Sequence, residues 1–180
     1  MKLKDFVEVS LLLAVGFILH SFFPPILFGM KPDFALSMLF VIILIKKDFK
    51  IAILAGIATG IFTALTTGFP GGQIANIIDK IVTTIIVSTI VINLPIKNLI
   101  YVGIVNGLGT ILSGVVFLGS AGLLFGLPGP FMALIMTVVI PAAAINTFIG
   151  IILYTSVLKS KKIVSTNDIN DIPPATSAPI

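Results

Sequence analysis

The sequence predicts an all-α membrane protein: a polytopic bundle of about six transmembrane helices, with the N- and C-termini on the cytoplasmic side. Three observations carry this expectation. The 180 residues are 57% hydrophobic and 10% charged, against about 25% charged in an average soluble domain, and mean hydropathy is +1.21. The apolar residues form stretches close to the ~20 residues that cross a bilayer core, divided by Pro/Gly breaks. The lysines cluster at the ends of those stretches and mark alternate connections, as the positive-inside rule requires.

The first expected span runs from about Phe6 to Phe23 and stops at Pro24-Pro25, which lack backbone donors. Its start resembles a signal peptide. His20, Phe22, Phe23 and the prolines stand where small residues would mark cleavage, so it is expected to be retained. The second, about Pro32 to Ile45, is short, and reaches the interface only with help from Ile26-Leu27-Phe28 or where the bilayer thins. The third, about Phe49 to Thr67, ends in Gly68-Phe69-Pro70-Gly71-Gly72, and the fourth, about Gln73 to Leu94, ends at Pro95. The fifth covers about Asn98 to Leu118. Gly119 to Leu127 then reads either as its continuation or as a re-entrant segment. After Pro128-Gly129-Pro130 the sixth covers about Phe131 to Leu158, with a kink expected at Pro141.

Six spans put Lys2, Lys4, Lys46, Lys47, Lys50, Lys97, Lys159, Lys161 and Lys162 on one side, with Lys31 alone opposite. Five or seven would break the pattern. Residues 1–162 therefore form a single bundle. The Ser/Thr/Asn/Asp/Pro-rich residues 163–180 bury too little apolar area to offset ordering entropy and are expected to be a disordered cytoplasmic tail.

Composition also excludes functions. With no cysteine and a single histidine, no disulfide, metal site or cofactor is expected. No nucleophile elbow, zinc-protease motif or phosphate-cradling loop occurs, so the chain is expected not to be an enzyme, and ATP-derived energy would have to come from another subunit. The net charge of +4 lies mostly at helix ends and gives no nucleic-acid footprint. The first partner is the lipid bilayer.

Ionisable groups inside such a bundle are the candidate site, because each costs about 2.5–3.5 kcal/mol at a helix centre on insertion scales. Asp79 and Lys80 lie within the fourth span, where Asn76, Asp79 and Thr83 share a face. Asp79 falls in the outer half. His20, Lys31, Asp33 and Gln73 map to the same outer side, flanked by Phe22, Phe23, Phe28, Phe69 and Phe131. Such a cluster suits a small solute with both charge and an apolar body. Each residue also has a structural reading: Asp33 caps a helix start, Lys31 snorkels, His20 packs at the interface. Asp79-Lys80 closes a helix interface, although neighbours about 100° apart are not expected to face one point. Asn106, Thr110 and Ser113, with Gly103 and Gly107, read as helix packing. Gly56, Gly60, Thr59, Thr63, Thr66 and Asn146 read the same way.

The strings LHSFFPP (Leu19 to Pro25), GMKPD (Gly29 to Asp33), TALTTGFPGGQIANIIDK (Thr63 to Lys80), GTILSG (Gly109 to Gly114) and GLPGPF (Gly126 to Phe131) resemble the bacterial tryptophan transporter family TrpP over about residues 1 to 160. That family is similar to the substrate-binding S components of energy-coupling-factor transporters. The resemblance implies uptake of tryptophan, or a similar aromatic solute, across the bacterial cytoplasmic membrane. For its ammonium, Asp79 or Asp33 is the expected acceptor; for its carboxylate, Lys31, Gln73, His20 or the helix start near Gly71-Gly72; for its indole N–H, Asn76. The alternatives are a vitamin-capturing S component, whose partner is an ATPase energising module, and a non-transporting membrane scaffold.

Overall fold

The structure, a computed structural model, describes residues 3–24, 32–95 and 98–170, with side chains to residue 163. The expectations on Lys2, Pro25, Ile26-Leu27-Phe28, Lys31 and Lys97 lie outside the described residues, as do residues 171–180 of the tail. Among the described residues all regular structure is helical: α1 (Leu3–Phe22), α2 (Phe34–Lys46), α3 (Phe49–Leu65), α4 (Gly72–Asn93), α5 (Leu99–Leu124), α6 (Phe131–Leu134) and α7 (Ile140–Asn170). A π turn, Ile135–Val139, joins α6 to α7 in one rod. Six rods result, and α1, α4, α5 and the last rod are long and apolar enough to span a membrane.

Three places left open or placed otherwise by the sequence are fixed by the structure. Gly119 to Leu127 is not re-entrant, since α5 continues through Leu124 and is closed by the Phe125 N–H donating to the Ala121 carbonyl at 2.9 Å. Pro141 lies just after the π turn. Because proline lacks an N–H and its ring crowds the carbonyl four residues back, a widened turn accommodates it. The last helix runs on to Asn170, so the irregular tail expected from 163 does not begin there.

The short α2 lies at the centre of the bundle. Every residue from Ala35 to Leu44 is buried, and the helix packs against α1, α3, α4, α5 and α7. A helix apolar all round is one surrounded by protein, and a helix that does not face lipid need not match the bilayer thickness. Close approach is built in by glycine: a Cβ on Gly109 of α5 would lie 2.6 Å from the Phe40 ring. Outward faces carry Leu11, Ile100, Leu108, Phe148 and Ile152. Hydroxyls and amides turn inward, with Thr59, Thr83, Ser88, Asn106 and Asn146 fully buried. Apolar outside and polar inside is the arrangement of a protein dissolved in lipid.

Several inward hydroxyls bond within their own helix. Thr59, Thr63 and Thr66 donate to the carbonyls of Ala55, Thr59 and Phe62 at 2.8, 3.0 and 2.9 Å. The Asn146 amide donates to Thr110 Oγ1 at 3.2 Å, tying α7 to α5.

At the lysine-bearing end, Lys46 Nζ reaches Asp5 at 2.7 Å and Glu8 at 2.6 Å, and Lys161 pairs with Glu8 at 2.7 Å. This joins α1, α2 and α7. Lys46→Met is expected to lower stability by about 1–3 kcal/mol, because two carboxylates lose a part-buried partner. A detergent thermal melt reads the loss, and an unchanged melting temperature refutes it.

Candidate functional site

Near the opposite end, four helices meet at a charged cluster. Asp79 is the eighth residue of α4, about 10 Å from the helix start at 1.5 Å per residue, and it is 1% exposed. Thr83, one turn on, donates to Asp79 Oδ1 at 3.0 Å, and Ser113 of α5 donates to Oδ2 at 2.9 Å. Lys80, 2% exposed, places its ammonium 2.6 Å from Asp79 Oδ2, 3.0 Å from Asp33 Oδ2 and 3.4 Å from Ser113 Oγ. His20, in the last turn of α1 and buried, sets Nδ1 3.5 Å from Asp33 Oδ1.

Asp33 caps α2 and at the same time pairs with Lys80. Its Oδ1 accepts from the Leu36 N–H at 2.9 Å, capping α2, while Oδ2 takes Lys80. A carboxylate has lone pairs enough for both tasks, and the cap fixes the rotamer that offers the second oxygen inward.

Two expectations are corrected. Asp79 and Lys80 do meet at one point, because the long lysine stem swings around the helix and cancels the 100° between adjacent residues. Ser113 is not mere packing, since its hydroxyl bonds the carboxylate. Of the remaining candidates, Asn76 is buried on the expected face but donates to the Gly72 carbonyl of its own helix at 2.9 Å. Gln73 is exposed in the first turn of α4 and joins none of these bonds. Lys31 lies outside the described residues. The structure thus gathers His20, Asp33, Asp79 and Lys80, with Ser113 and Thr83 as the residues that sequence reasoning left out of the site. The spacing of Thr83 on the Asp79 face was a usable signal. Nothing in the sequence alone sets Ser113 against α4.

Aromatic pairs flank the cluster. Phe23 and Phe34 stand beside Asp33 with ring centroids 4.9 Å apart, and Phe69 meets Phe117 at 5.4 Å.

The family model described as "Tryptophan transporter TrpP" matches residues 2–162. The chain belongs to the TrpP family. Its relatives include a "Probable tryptophan transport protein" of Clostridium acetobutylicum, 49% identical over 91% of this chain and 97% of that protein. A protein of the same description from Clostridium perfringens is 47% identical over 84% and 89%, and one from Bacillus subtilis is 47% identical over 86% and 90%. No solved structure matches significantly. TrpP is a family of transporters rather than enzymes, and this member is a multi-pass protein of the bacterial cell membrane.

Proposed function

We propose that this chain takes up tryptophan from outside the cell, and that the Asp33, Lys80 and Asp79 cluster, with His20 beside it, binds the zwitterionic head of the amino acid. One observation carries the reading: a lysine buried between carboxylates contributed by two helices, where the other buried polar side chains among the described residues are hydroxyls, amides and His20. Charges inside a bilayer are costly, and those retained mark substrate paths. Two carboxylates share the single Lys80 ammonium, so the cluster is rich in acceptors, which suits an incoming ammonium. Asp79 and Asp33 accept that ammonium, and Lys80 turns to the substrate carboxylate. The relatives, described as tryptophan transport proteins, supply the choice of amino acid.

The test is tritiated tryptophan uptake into bacteria deficient in it, with and without this protein. Asp79→Asn keeps the acceptor that Thr83 uses but removes the charge. It is expected to cut uptake at least tenfold at unchanged membrane abundance, whereas uptake equal to the unsubstituted protein refutes the ammonium role. An ATPase energising module is a proposed partner, because no phosphate-cradling loop occurs in the chain itself. Co-purification with ATPase subunits tests that separately.

A further inference from the structure

The hydrogen-bond network around Asp79 ends one helical turn short of an aromatic contact. Phe117 follows Ser113 by four residues on α5, on the same face and about 6 Å further along the axis. Its ring meets that of Phe69 edge to face, with centroids 5.4 Å apart and planes at 79°. Phe69 belongs to the turn between α3 and α4, not to a helix. Its N–H donates to Thr67 Oγ1 at 3.2 Å and its carbonyl accepts from the Gly72 N–H at 2.9 Å. Beside that turn opens a recess of about 500 Å³, lined by Phe69, Pro70 and Gly71 on one side and by Phe125, Leu127 and Pro128 on the other. Gly71, at φ 71°, is in the left-handed region, and a Cβ there would lie 2.4 Å from the Phe125 ring. Only glycine lets the two turns meet in this way.

We propose that Phe117 is the specificity-determining residue for the indole, and that Phe69 holds the place of the indole on Phe117 until substrate arrives, then turns into the recess. This rests on the reading of the cluster as the site for tryptophan. An amino acid whose head lies at Asp79 and Lys80 directs its side chain one turn outward, to the level of Phe117. Asn76, one turn outward of Asp79 on α4, stands at the same level, its amide committed to the Gly72 carbonyl and its Oδ1 available to an indole N–H. Edge-to-face geometry favours any aromatic ring over an aliphatic side chain, so exchanging the phenyl of Phe69 for an indole conserves the contact. Both rings are only part-buried, so the exchange leaves the closed core around α2 intact. The recess falls within the roughly 300–1,000 Å³ of small-molecule pockets and gives the displaced ring somewhere to go.

Uptake kinetics of Phe117→Leu, Phe117→Tyr and Phe69→Leu, at matched membrane abundance and with phenylalanine or leucine as competitor, test this. Phe117→Leu is expected to erase the preference for phenylalanine over leucine as competitor, in line with a lost aromatic pair, and to raise KM for tryptophan by the smaller margin with which the indole outdoes the phenyl that it displaces. Phe117→Tyr stays near the unsubstituted protein. Phe69→Leu lowers KM, because the competing ring is gone. The proposal is overturned if Phe117→Leu leaves KM and competitor ranking unchanged, or if Phe69→Leu raises KM as Phe117→Leu does. An unsubstituted protein that takes up no tryptophan removes the transporter reading itself, and this proposal with it.

Discussion

Lys80→Met is expected to abolish tryptophan uptake and to be the most destabilising single change in the bundle, costing about 3–5 kcal/mol. The reason is what remains behind. Asp79, 1% exposed, and Asp33 share the Lys80 ammonium at 2.6 and 3.0 Å. Without it, two carboxylates are left in a low-dielectric interior with Thr83, Ser113, a backbone N–H and the nearby His20 imidazole to hold them. Stability and function are separable. Combining Lys80→Met with Asp33→Asn and Asp79→Asn removes the stranded charges, while asparagine still caps α2. The triple variant is expected to regain most of its melting temperature in detergent and none of its uptake. A single variant that melts like the unsubstituted protein would mean that these groups are not a buried ion network.

Gly56→Ala is expected to cost about 1–3 kcal/mol by overpacking and to reduce uptake from a position with no contact to the charged groups. A Cβ on Gly56 of α3 would lie 2.3 Å from Thr84 Oγ1 and 2.8 Å from Thr84 Cβ on α4. Thr84 cannot yield freely, because its hydroxyl donates to the carbonyl of Lys80. The push therefore reaches the turn that aims the ammonium. Thr84→Ala in the same chain is expected to restore part of both stability and uptake, as coupled neighbours do. Additive losses in melting temperature and transport would show that the two positions act independently.

Much of this architecture was legible because lipid imposes simple rules. The proline and glycine breaks set the rod ends within a few residues, as at Phe22, Leu65 and Asn93, since a helix in hydrocarbon ends only where its backbone finds other partners. Topology alone placed His20, Asp33 and Asp79 at one end, and the structure brings those three together. What failed was detail that depends on side-chain reach and on pairing between rods. The direction of the Lys80 Cβ points away from Asp79, but the stem is long enough to bend back to it. Ser113 reads as packing because the register of α5 against α4 is not written in either segment. Gln73 matched the polar pattern, yet one residue after the helix start its side chain points outward. The shortness of α2 points either to help from Ile26-Leu27-Phe28 or to a thinned bilayer. The better signal is its run from Phe34 to Ile45, apolar except for Ser37, which leaves no polar face and so marks a helix enclosed by others.

That enclosed helix also bears on how solute travels. Leu39, Phe40, Val41 and Ile42 are wholly inaccessible along the middle of the molecule, so α2 itself lines no open passage among the described residues. A cargo molecule passing beside this filled axle is expected to need the surrounding rods to tilt, once for each molecule carried. Entry is then expected to saturate as a turnover does, rather than to rise in proportion to concentration as flow through a hole would.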